Sequence, residues 1–346
     1  MGMYFDLAPK ERKEDFFDYT YEYDELDNAI KRKDRIVVLI GVRRVGKTSL
    51  MNVLYHQIKN PKIWIDGRII ENPKRDIPNA IVEMVESGVS KIIGNISGFN
   101  VAAFGFGVGL SAGKTPDYKD LKKKIGKKQL YVFIDEAQRM DPLALADLLS
   151  YFYDQFPQIT FILSGSEVGL LEEIIGSEKT NHPLHGRNIV RINMVRMDPG
   201  RSVEFLRKGF RQIKIEVSEE DLADAIKELD GLIGWLTLYG YRKGVMKSKD
   251  AMKETIEIAS KVAASELSSF LRNRKSKRIY LSILRHATGI SWSELKARVE
   301  KDIGKTLNPN LLSFTVNELM KYSFLEKYGD GYHLPDPLLL RASFLV

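Results

Sequence analysis

The chain has 346 residues, 44% hydrophobic and 29% charged, with a formal net charge of +7 and no cysteine. This is the composition of an ordinary globular protein long enough for two or three domains, and it excludes disulfides and thiolate metal sites. No apolar run approaches the roughly 20 residues that span a bilayer, and the modest positive charge permits nucleic-acid binding without requiring it.

The N-terminus lacks the continuous apolar core of a signal peptide, and Asp6 stands where a myristoylation motif has Ser or Thr, so the expected location is cytoplasmic, with no membrane partner. "YDELDNAIKRKD" has helical spacing at Leu26 and Ile30 and ends in a basic turn suited to a helix C-terminus. "RIVVLI", residues 35–40, reads as a buried parallel strand because it is short, β-branched and continuously apolar. After "GVRRVGKTSL", helical periodicity returns at Leu50, Val53, Leu54 and Ile58. "KIWID", 62–66, is a second strand, and "NAIVEMVESGVSKIIGNI" reads as a helix. In residues 94–113 glycine alternates with Phe and Val, which predicts a hairpin insertion near 94–114, with a mobile lid or partner-binding flap as the alternative.

"QLYVFIDEAQ", 129–138, is a third strand running into acids, followed by a helix at "PLALADLLSYFYDQF". "ITFILSGS", 159–166, is a fourth strand and "RNIVRINMV" a candidate fifth. Strands alternating with helices imply an α/β fold with a parallel sheet covered on both faces and a ligand at the C-terminal strand edges. Strand signals fade from Asp198, and helices follow as far as the basic break "FLRNRKSKR". His182 and His185 are the only close histidine pair, and without a nearby carboxylate they give little basis for a metal site.

Gly41, Gly46, Lys47 and Thr48 satisfy the G-x-x-x-x-G-K-[ST] template between a predicted strand and a predicted helix, which is the context it needs. Successive backbone N–H groups form an anion nest reinforced by the helix end. Gly46 permits the turn, Lys47 reaches the β- and γ-phosphates, and the Thr48 hydroxyl can coordinate magnesium. The expected nucleotide-binding set is Gly41, Arg43, Arg44, Val45, Gly46, Lys47, Thr48 and Ser49, with ATP or ADP and Mg2+ as cofactors. Asp135 is the second magnesium ligand and Glu136 the general base for the attacking water, against the plainer alternative of acids that cap the next helix. Ser164, ending the following strand, is either a contact to the γ-phosphate or water or a plain strand-end hydroxyl.

"GVRRVGKTSL", "VFIDEAQ", "FILSGS", "PLHGR" and "DGLIGWLTLYG" together resemble the archaeal ATPase family within the STAND and AAA+-related P-loop ATPases. The resemblance covers about residue 15 to the end. It implies a P-loop NTPase core (1–197), a helical lid (198–275) and a winged-helix domain (276–346), with nucleotide state controlling an assembly or partner. It also implies a role for Arg187 of "PLHGR" as arginine finger or γ-phosphate sensor, in cis or in trans. A surface salt bridge is the alternative, and Arg191, Arg196 and Arg43 compete for the role. Related lids carry Gly-x-Pro, whereas "GLIGW" has Ile233 at the proline position, leaving an apolar contact to the base through Ile233. The entry segment often reads Phe-Asp-Arg-Glu in relatives, and here it is "FDYT".

Beyond residue 277, three helical segments precede Gly329, Asp330 and Gly331, a hairpin signal between short apolar strands, which together make a winged helix-turn-helix. Its third helix, "NPNLLSFTVNELMKY", carries one basic residue, so the module fits a protein partner, self-association or packing on the core better than DNA, which stays the alternative.

Overall fold

The computed structural model describes residues 3–94, 117–176 and 180–346, so the expected hairpin near 94–114 lies outside the described residues except for Gly94. Six parallel strands form the central sheet: β1 (Ile36–Ile40), β2 (Lys62–Asp66), β3 (Lys91–Ile93), β4 (Leu130–Asp135), β5 (Ile159–Gly165) and β6 (Val190–Asn193). Their order is β3-β2-β4-β5-β1-β6. β1 pairs with β5 on one side and β6 on the other, which puts the loop after Ile40 near the middle of the C-terminal edge.

Alternate strand residues serve two cores, as the period of two requires. Ile36, Val38, Ile63, Ile65, Val132, Ile134 and Leu163 pack under α3 (Pro73–Ser87), α4 (Tyr118–Ile125), α5 (Pro142–Gln155) and α6 (Val168–Ile175). Val37, Leu39, Trp64, Phe133 and Ile162 face α1 (Thr20–Arg32) and α2 (Lys47–Gln57). The stretch read as one helix over "NAIVEMVESGVSKIIGNI" is divided. Helix α3 stops at Ser87, Gly88 takes a left-handed conformation with its N–H on the Met84 carbonyl, and β3 then pairs with β2. A glycine cap of this kind ends a helix whatever the apolar spacing beyond it.

The second core does not stop at residue 198. It continues into α7 (Pro199–Gln212), α8 (Glu219–Leu229), α9 (Ile233–Gly240) and the first half of α10 (Ala251–Leu271). The N-terminal segment joins it through Phe5, whose ring lies where a Cβ on Gly209 or Gly240 would stand, 2.2 Å away in each case. The second half of α10 enters a third core. There α11 (Lys277–His286), α12 (Trp292–Ile303), α13 (Pro309–Lys321) and α14 (Leu338–Ala342) surround a small antiparallel sheet. Its strands are β7 (Thr288–Ile290), β8 (Glu326–Tyr328) and β9 (Gly331–His333), in the order β7-β9-β8. Gly329, at φ 55°, makes the β8–β9 turn where the sequence placed a hairpin. Among the described residues no helix is long and apolar enough to cross a membrane.

Candidate nucleotide site

The loop from Gly41 to Thr48 follows β1, and α2 begins at Lys47. Gly46 sits at φ +95°, and a Cβ on Gly41 would stand 2.2 Å from the Met194 carbonyl oxygen, so both positions require glycine. Val45 is fully buried and anchors the loop in the second core. The buried Lys47 ammonium donates to the carbonyls of Gly41 and Val42, both at 2.7 Å, and so spans the loop. Burial lowers its pKa to about 8, although Glu136 and Asp135 pull it upward.

Asp135 closes β4 on the face shared with α2. One carboxylate oxygen accepts from the Thr48 hydroxyl at 3.0 Å, and the other accepts from the Ser164 hydroxyl. Burial, then the neighbouring Glu136, raises its pKa to about 6. Thr48 and Asp135 thus converge as a hydroxyl and a carboxylate beside the anion nest, a donor pair that suits a magnesium ion completed by phosphate oxygens and water. Among the described residues no cluster of three or more His, Asp or Glu groups forms a separate metal centre. His182 is structural: one ring nitrogen accepts from the Leu184 N–H and the other bonds the Glu173 carbonyl.

Glu136 takes a left-handed backbone conformation, φ 53°, an uncommon position for a residue with a side chain. It turns the carboxylate towards Gln138, which donates at 2.6 Å, and Ser166, which donates at 3.1 Å. Sequence reasoning singled out Ser164 but missed Ser166 and Gln138. Ser166 follows Ser164 by two residues, and that period was the available signal. Ser164 itself is fully buried beneath Asp135, so it reaches the site through that carboxylate. Ser49, assigned to the nucleotide, accepts instead from the Lys10 N–H at 3.2 Å and ties the N-terminal segment to α2.

Ile233 does come to the loop. A Cβ on Gly46 would meet Ile233 Cγ2 at 3.6 Å, with Met194 Cε and Phe16 Cε2 each at 3.9 Å. Phe16 and Met194 were not foreseen, and Phe16 immediately precedes the "FDYT" segment. The first turn of α9 is fixed there by the Gly234 N–H on the Arg44 carbonyl, 3.0 Å.

Arg187 is not part of this constellation. It pairs with Asp154 at 2.7 Å, near the C-terminus of α5, beside Tyr153, whose carbonyl binds Arg35 at the start of β1. That is the N-terminal edge of the sheet, a full strand length of about 15 Å from the loop. Arg187 therefore does not serve its own chain's site in this arrangement. Arg191 lies 3.5 Å from Glu172, and Arg196 bonds Asp230 and Glu326.

Arg43 and Arg44 belong to the phosphate-loop segment but aim their side chains elsewhere. Arg43 donates to Glu167 at 2.5 Å and to the Tyr322 carbonyl at 3.2 Å, and lies over the Phe324 ring. Arg44 reaches Glu266 of α10 at 2.6 Å and Asp336 at 3.3 Å, and stacks on Trp235. Nearby, the Val168 N–H donates to Ser323 at 2.9 Å, and Lys321 pairs with Glu173 at 2.8 Å. The C-terminal unit is thus seated on the phosphate loop and on α6.

A strand, a phosphate loop with Lys and Thr, and an Asp-Glu pair at the end of β4, one strand removed across β5, define a P-loop ATPase on a parallel α/β sheet. The family of ATPase domains found predominantly in Archaea matches residues 16–238, and the chain belongs to it. The whole chain is similar to a Walker-type ATPase of Pyrococcus abyssi, at 27% identity and a TM-score of 0.78 over 99% of this chain and 100% of that one. Fainter likenesses, of 13% and 15% identity, are found to the Thermotoga maritima RuvB Holliday junction branch migration motor and to Cdc6p of Pyrobaculum aerophilum. The TM-scores are 0.47 and 0.43, over 95% and 94% of this chain and 96% and 92% of those chains. Among curated proteins, none matches by sequence.

Proposed function

We propose that this ATPase is a magnesium-dependent switch in which nucleotide decides whether residues 276–346, a winged-helix domain, stay docked on the phosphate loop. The observation that carries the reading is the pair Arg43 and Arg44. Both belong to the phosphate-loop segment, while their guanidinium groups hold Glu167, Glu266, Asp336 and the Tyr322 carbonyl. A triphosphate brings new negative charge to the loop from which these cations project, and competes for them with the carboxylates.

In this reading Lys47 neutralises the β- and γ-phosphates, and Glu136, held by Gln138 and Ser166, accepts the proton of the attacking water. Thr48 and Asp135 hold the magnesium ion, which supplies charge neutralisation at the phosphates. Residues 198–275 act as a lid that sets Ile233, with Met194 and Phe16, against the base. Arg187 acts in trans, on the site of a neighbouring copy. The protein works in the cytoplasm. A DNA-binding role for the winged helix has less support, because the exposed face of α13 carries Asn310, Leu311, Phe314 and Asn317, and its one lysine is paired with Glu173.

The test compares magnesium-dependent phosphate release by the wild type, Glu136→Gln, and the double variant Arg43→Ala/Arg44→Ala. Glu136→Gln should stop turnover. The double variant should change the rate of turnover or of ADP release several-fold while still binding nucleotide. A double variant with wild-type rates for both would sink the switch.

A further inference from the structure

A cleft of about 230 Å3 lies in the C-terminal unit between the α10–α11 connection and α13. Its apolar lining comes from Tyr280, Leu311 and Phe314. Leu311 and Phe314 are three residues apart on α13, one helical turn, and are 39% and 59% exposed. A phenylalanine left this open on a rigid helix beside a cleft is the kind of apolar patch that marks a docking site.

The α10–α11 connection, which borders the cleft through Arg274, Lys275 and Ser276, carries cations and no acid over residues 271–278. Arg272, Lys275, Lys277 and Arg278 are all exposed and, among the described residues, make no ion pair or side-chain hydrogen bond. The fifth cation, Arg274, spends its charge inside the unit, on Glu318 at 2.7 Å, the Phe270 carbonyl and the Phe270 ring. Glu318 is thereby neutralised, and among the described residues it is the only acid lining the cleft. Lys277 and Arg278 also occupy the first turn of α11, where the helix dipole is already positive and no acidic residue offsets it. Lys275 lines the cleft and the other three unpaired cations lie within three residues of it in the chain, so the apolar floor and this basic connection call for an occupant with apolar side chains in the middle and carboxylates at the edges.

We propose that this cleft is the partner-docking surface of the C-terminal domain, and that it takes an acidic amphipathic segment of another protein. Such a segment places two apolar side chains, one helical turn apart, against Leu311 and Phe314, and sets its flanking carboxylates against Lys275, Lys277 and Arg278. Nucleic acid is the less complementary occupant. The floor is apolar, and the face of α13 that would enter a groove offers no free cation for phosphates. The inference rests on the reading that the C-terminal domain serves a partner, and is independent of how ATP is hydrolysed.

The experiment uses the full chain and a fluorescein-labelled helical peptide carrying two leucines one turn apart, flanked by four glutamates. Comparison probes replace the leucines by serine, replace the glutamates by lysine, or are single-stranded and duplex DNA. The acidic leucine peptide should bind, and binding should weaken with salt. Phe314→Ser should cost on the order of tenfold in affinity. The double reversal Lys275→Glu/Arg278→Glu, at two exposed positions, should lose the acidic peptide and gain the lysine one. Phosphate release should be unchanged in both variants, so a failure here is separable from a failure of the ATPase assignment. Three results would overturn the proposal: no peptide binding up to about 1 mM, binding indifferent to the leucines or to Phe314→Ser, and DNA binding that the same variants abolish.

Discussion

Replacing Asp135 by asparagine should stabilise the empty protein while disabling it. Asp135 is buried beside Glu136, and its pKa rises from an ordinary 3.8 to about 6. At about 1.4 kcal/mol per tenfold change in proton affinity, ionising it in the folded chain costs on the order of 2–3 kcal/mol. The sign follows from the raised folded value. Below about pH 4 the carboxyl is protonated in both states and the cost is absent; as pH rises through 6 the stability is lost. Asparagine is nearly isosteric, can accept from Ser164 and can donate to Thr48, so it removes the charge without orphaning a partner. Urea unfolding without nucleotide or magnesium, repeated from pH 4 to 8, should show no gain at the acid end and a gain of about 1–3 kcal/mol at pH 8. Magnesium-dependent phosphate release should fall at least about a hundredfold, because the metal loses its carboxylate. A gain independent of pH, or a loss of stability at pH 8, would refute the electrostatic reasoning.

Glu136→Gln should lower turnover by about a hundredfold or more while nucleotide affinity changes little, measured by phosphate release and by titration with a fluorescent ATP analogue. Affinity lost in parallel with turnover would show a binding role instead. Gly41→Ala forces a methyl to within 2.2 Å of the Met194 carbonyl and should cost about 1–3 kcal/mol of stability and most nucleotide binding, read by unfolding and by titration. If Arg187 serves a neighbouring copy, mixing the inactive Arg187→Ala and Lys47→Ala proteins should restore phosphate release above that of either alone. No recovery would leave Arg187 as a partner of Asp154 only.

The parts of the site that the sequence made legible are those whose geometry is local. Gly41 to Thr48 is one turn of backbone between a strand and a helix, and Asp135 with Glu136 ends a strand whose apolar run marks its direction. Neighbouring parallel strands then bring Ser164 beside Asp135, as Ile134 pairs with Leu163 one position earlier. Ser166 was missed although it follows Ser164 by two residues, because β5 ends at Gly165 and the spacing alone does not show that its hydroxyl reaches Glu136. Strand β3 was hidden by apolar residues that fit a helix, and only the left-handed turn at Gly88 separates the two.

Arg187 illustrates the opposite case. Its motif fixes a position in the chain, but which edge of the sheet it reaches depends on the path from α6 to β6, and it lands beside Tyr153 and Asp154. The partners of Arg43 and Arg44 were illegible for a simpler reason. They lie 124 to 292 residues away, on the connection after β5, on α10 and in the C-terminal unit, and a pairing over such separations leaves no local pattern. The same holds for the apolar group around Gly46, where Phe16, Met194 and Ile233 come from three separate parts of the chain.

The switch can be tested by a distance. The chain has no cysteine, so two introduced at the exposed positions Lys59 and Lys305 can carry a donor and an acceptor without background labelling. In a Glu136→Gln background, energy transfer should differ between magnesium-ATP and magnesium-ADP, with ATP giving the undocked value, and the difference should disappear on adding Lys47→Ala. Equal transfer with both nucleotides, each shown to be bound, would contradict a nucleotide-controlled C-terminal domain.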